Sequence, residues 1–81
     1  MVKLEVIAQN LTRVTLPGLS VWFSYETPVA VRVEDSDALV VARNQWTTTT
    51  GKHLTMIDGG GAAARDRADH AIVLQIIESH A

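Results

Sequence analysis

The chain contains no cysteine, which excludes a disulfide framework, a thiolate metal site and a thiol nucleophile. A reducing cytoplasm is its natural setting. Aromatic residues are scarce, with Trp22, Phe23, Tyr25 and Trp46 forming the full set, so the core has to rest on Val, Ile, Leu and Ala. No stretch approaches the roughly 18 apolar residues that span a bilayer. The opening segment MVKLEVIAQN carries charge inside a short apolar run and lacks a signal-peptide core, so a soluble, unprocessed protein is expected. An excess of one charge is missing too: the formal net charge of −2 gives no global attraction to nucleic acid or to an anionic membrane. An anion site, if there is one, has to be local.

What is present fits one small α+β domain. The 81 residues are enough for a single domain over 1–81, which at this size buries only about 60% of its unfolded surface. Val2, Leu4 and Val6 alternate with Lys3 and Glu5, the period of a strand over 2–8 with one mostly buried face. A short strand over 11–16 ends at Pro17-Gly18, and LSVWFSY gives a third over 19–25 with apolar groups on both sides. Pro28 marks a bend or a strand start. Val29, Val31 and Val33 alternate again, Asp35-Ser36-Asp37 reads as a turn, and ALVVAR over 38–43 completes the clearest hairpin. Thr49 or Thr50 is the expected N-cap of a short helix over 51–57, stopped by Asp58-Gly59-Gly60-Gly61. A longer C-terminal helix is expected over about 66–79, with Ala62 to Ala64 as an alternative start. Overall the pattern predicts an antiparallel sheet of four to five strands with a short helix and then a longer helix packed on it. Ile72, Val73, Leu74, Ile76 and Ile77 spread around more than one helix face, so self-association is expected.

The segment NQWTTTTGKHLTMIDGGG, residues 44–61, is the richest in chemistry. Hydroxyls of Thr48, Thr49 and Thr50, the amides of a helix start, Lys52 and His53 suit an anionic ligand. Trp46 or Tyr25 offers a ring to stack on a base. The plain structural alternative is that the threonines cap, Lys52 is solvated and Trp46 closes the core. Gly51-Lys52 is not a phosphate-binding P-loop, because Trp46 stands where the first glycine belongs and His53 where the final hydroxyl belongs. His53, His70 and His80 lack metal-ligand spacing, and no metal or cofactor is expected. Ser24, Tyr25 and His53 carry hydrolytic chemistry only if folding joins them, since no nucleophile-elbow sequence is present. Arg65 and Arg67 are either a guanidinium pair aimed at a ligand or, more simply, solvated or paired with acids, with Asp66 and Asp69 in the first turn of the C-terminal helix.

The strings FSYETPVAV at 23–31 and NQWTTTTGKHLTMIDGG at 44–60 resemble a family of small, mostly uncharacterised bacteriophage and prophage proteins, with the pattern FSYxTxVA followed by NxWSxTTGKHLNxIDGG. The chain departs from that pattern at Thr47, where serine is usual, and at Thr55, where asparagine is usual. The resemblance implies a phage protein in the cytoplasm of a bacterial host, without implying an activity. The expected function is therefore non-enzymatic binding that counters host defence, directed at a host protein or at a small anionic nucleotide signal. A structural or assembly accessory without a ligand is the alternative.

Overall fold

The computed structural model describes residues 2–34 and 38–80. Five strands, β1 (Lys3–Ala8), β2 (Leu11–Leu16), β3 (Leu19–Ser24), β4 (Thr27–Val33) and β5 (Ala38–Val41), form one antiparallel sheet in chain order. The expected turn at 35–37 lies outside the described residues, but the β4–β5 pairing that it implied is present. Helix α1 (Thr48–Asp58), a 3-10 turn η1 (Gly61–Asp66) and helix α2 (His70–Ser79) follow.

Strand alternation sorts the side chains into two faces. One cross-strand row runs Leu4, Val14, Val21, Val31, Val40, and the next runs Glu5, Arg13, Trp22, Ala30, Val41 on the opposite face. The first face packs against Val73, Ile76 and Ile77 of α2. The second packs against Leu54 and Ile57 of α1, with Trp46 touching both clusters. The helices therefore lie on opposite faces of the sheet, which explains why β3 and β4 have apolar residues on both sides. Pro28 is tolerated inside β4 because the ladder is already irregular there: Trp22 pairs with Ala30 and Phe23 with Pro28, leaving Val29 as the extra, fully buried residue.

The chain changes faces at the β5 edge. Ala68 makes a parallel bridge with Ala42, donating to the Val41 carbonyl while its own carbonyl accepts from Arg43, each at 2.8 Å. These sheet bonds, with extended backbone at Arg67 and Asp69, delay the helix expected over about 66–79 to His70, and the alternative start at Ala62 to Ala64 lies in η1. As a result α2 has 10 residues and α1 has 11. Helix α1 also starts three residues earlier than expected, because Thr47, rather than Thr49 or Thr50, accepts the Thr50 amide as N-cap.

The glycines after α1 serve distinct needs. Gly59 caps the helix at φ +85 and returns its amide to the Thr55 carbonyl. Gly60 adopts φ 67, ψ −150, a region open essentially to glycine alone, and a Cβ there would lie 2.9 Å from Thr55 Cγ2. Gly60→Ala is expected to destabilise by about 2 kcal/mol, read as a lowered midpoint in urea at unchanged slope.

Candidate functional site

The end of β3, the β1–β2 turn and α1 meet in a buried polar seam. Ser24 Oγ lies 2.7 Å from His53 Nδ1 and 3.0 Å from Thr50 Oγ1, while His53 Nε2 lies 3.1 Å from the Gln9 carbonyl. A carbonyl only accepts, so Nε2 carries a proton; in the neutral ring Nδ1 then accepts from the Ser24 hydroxyl, and Ser24 in turn accepts from Thr50. This joins Ser24 to His53, as hydrolytic chemistry requires. The setting is unsuited to attack on a substrate: Ser24 is 2% exposed and His53 and Thr50 are 4% exposed. The three groups spend their hydrogen-bonding capacity on each other and on fixing α1 to the sheet.

Tyr25 adjoins this seam without entering it. It follows β3 in the left-handed region at φ 58, its amide donates to the Asn10 carbonyl at 2.7 Å, the residue is 53% exposed, and its ring centroid lies 6.0 Å from that of the His53 imidazole. Trp46 occupies another location. It meets His70 edge-to-face with centroids 4.9 Å apart, and His70 Nε2 donates to the Pro28 carbonyl at 2.8 Å. The indole therefore ties both core clusters to the start of α2. The role of His70 was not visible in the sequence, since its partner is a backbone carbonyl 42 residues away.

Asn44 fixes the entry to α1. Its Nδ2 donates to the Thr47 carbonyl at 3.2 Å and its Oδ1 accepts the Trp46 amide at 3.0 Å. Gly51 makes room for this, because a Cβ there would lie 2.8 Å from Asn44 Nδ2. At the other end of the helix, Asp58 accepts Arg67 Nε at 2.8 Å, Arg67 Nη2 at 3.1 Å and the Gly60 amide at 2.8 Å. The Arg67 guanidinium, opposed by burial and aided by the Gly60 amide, holds the Asp58 carboxyl below its ordinary value, while Asp58 raises Arg67. Arg67 is thus paired with an acid, as expected, one that lies on α1, and Asp69 pairs with Arg43.

The expected site residues consequently separate. Thr50 and His53 face inward, Trp46 lies among the core clusters, and Tyr25 stands at a turn. Thr48, Thr49 and Lys52 are exposed. Thr48 and Lys52, with Asn44, Gly51, Thr55 and Met56, line an open groove of about 580 Å³ along the outer face of α1. Met56 is 60% exposed there. The Thr55 hydroxyl donates to the Gly51 carbonyl at 3.1 Å, so it is engaged within the helix. Among the described residues, no three His, Asp or Glu side chains come together in a way that could hold a metal ion, and no helix is long and apolar enough to cross a membrane.

A family model described as a family of unknown function, DUF8033, matches residues 2–73. No curated protein and no solved structure matches the chain.

Proposed function

The chain belongs to this family of unknown function, and we propose that it is a non-enzymatic binding protein that meets its partner through the outer face of α1. The supporting observation is the division of labour along that helix. Its inner residues are consumed by the core and the Ser24–Thr50–His53 seam, whereas Thr48, Lys52 and Met56 line an open groove with one cation. Small-molecule sites usually enclose most of their ligand. An open groove pairing an exposed methionine with a lysine better suits an acidic protein surface, because methionine adapts to irregular apolar contacts and lysine supplies the complementary charge. Trp46 packs against His70, and among the described residues that line the groove with Lys52 there is no indole to stack on a base, which favours a host protein over a nucleotide signal. The phage origin implied by the FSYETPVAV and NQWTTTTGKHLTMIDGG strings makes interference with host defence the proposed role.

Photo-crosslinking from position 56 inside a bacterial host, with and without Lys52→Glu, tests this reading. A discrete protein adduct that falls at least about tenfold with the charge reversal is expected, tenfold corresponding to about 1.4 kcal/mol of binding. Thermal melts should be the same for both proteins, since Lys52 is exposed. Calorimetry with cyclic and linear nucleotides covers the other ligand: heat seen with the wild type and lost in Lys52→Ala would move the reading to nucleotide sequestration. Silence in both experiments would leave the accessory role.

A further inference from the structure

The alternation in β1 predicts a mostly buried face, and the fold does not bury it. Val2, Leu4 and Val6 are 64%, 65% and 72% exposed, although Leu4 begins the row that continues through Val14, Val21, Val31 and Val40. They are more exposed than Ile72 and Leu74 of α2, at 43% and 42%. β1 is also an edge of the sheet. The opposite edge, β5, is partly covered where Ala68 bridges to Ala42, while the bulge in β1 falls only after Val6. An uninterrupted edge with apolar side chains is a template for another strand.

We propose that a second copy of this chain docks antiparallel on the outer edge of β1, about a two-fold axis through Leu4, so that two sheets continue as one. This goes beyond the α1 reading and does not depend on it. The register follows from the side chains. In a two-fold antiparallel pair, opposed residues share a face and their numbers have a constant sum. An axis through Lys3 sets Lys3 against Lys3, and an axis through Glu5 sets Glu5 against Glu5; like charges directly opposed are unfavourable. An axis through Leu4 sets each Lys3 against the partner's Glu5, Leu4 against Leu4, and each Val2 against the partner's Val6. One register therefore satisfies the charged face and the apolar face together. Glu5 is already oriented, with Arg13 Nη2 at 2.6 Å and Lys3 Nζ of its own strand at 3.7 Å. The partner's Lys3 would sit directly across from that carboxylate, at the separation of about 5 Å between Cβ atoms that cross-strand pairs have.

The test is sedimentation equilibrium of the full chain over about 1 to 100 µM, a range chosen to bracket micromolar dissociation, for wild type, Lys3→Glu, Glu5→Lys and the double exchange Lys3→Glu/Glu5→Lys. A dimer of the 8.8 kDa chain is expected for the wild type. Each single reversal should weaken it about tenfold or more, and the double exchange should restore it to within about threefold, as expected when two attractive pairs become repulsive and then attractive again. Mixing the two single variants should also recover a dimer, because their charges are complementary in this register. Circular dichroism melts confirm that each variant is folded. A wild type that remains monomeric throughout overturns the proposal. A dimer insensitive to all the charge reversals overturns it equally, since two copies stacked through Val2, Leu4 and Val6 would not sense charges on the opposite face.

Discussion

Trp46→Ala is expected to destabilise the domain by about 3 to 5 kcal/mol, the range for losing a large aromatic from a core. Trp46 is only half-buried, which argues for the lower end. Its position argues for a severe result even so. The indole packs against both core clusters and meets His70 edge-to-face, so truncation loosens the sheet, the α1 entry and the α2 start together. Whole domains are held by about 5 to 15 kcal/mol, and a domain of this size loses roughly 4 to 8 °C of melting temperature per kcal/mol. A fall of more than about 12 °C in Tm is the expected readout on those scales. An unchanged Tm would mean that the indole contributes no packing and is free to contact a ligand.

Arg67→Ala is the second large effect. The Arg67 and Asp58 side chains are 11% and 6% exposed, and removing one partner of a buried pair costs about 3 to 5 kcal/mol because the remaining charge is stranded. Asp58 retains the Gly60 amide, so a loss of about 3 kcal/mol is expected. The same pair predicts an acid dependence. Arg67 holds the folded-state pKa of Asp58 below its ordinary 3.8. A lowered carboxylate pKa contributes stability that is fully present above the unfolded value and is lost as pH falls through the folded value. Melts from pH 7 downward should therefore show this contribution intact to about pH 4.5 and declining below it. Asp58→Asn should flatten that decline. A variant that follows the wild-type acid profile point for point would remove Asp58 as its source.

The contributions of sequence and tertiary structure separate by the range of the interactions involved. Period-two alternation and Pro17-Gly18 placed the strands to within a few residues, because side-chain direction and turn geometry are local properties. Gly59 to Gly61 ended α1 where expected, for a similarly local reason. The α+β architecture and the membership of an uncharacterised family were also legible. Locally plausible readings gave way wherever a distant partner competed for the backbone or the side chain. Ala68 left a helix for two hydrogen bonds to the β5 edge. His53 and Thr50, plausible anion ligands beside Lys52, turned inward because Ser24 waited 29 and 26 residues away. The alternation of Val2, Leu4 and Val6 announced a buried face, yet whether anything covers a face is decided by where the rest of the chain packs, and α2 packs chiefly on β4 and β5. Local sequence specifies which atoms a residue can present and in what direction; only the assembled fold decides whether another group is already there to meet them.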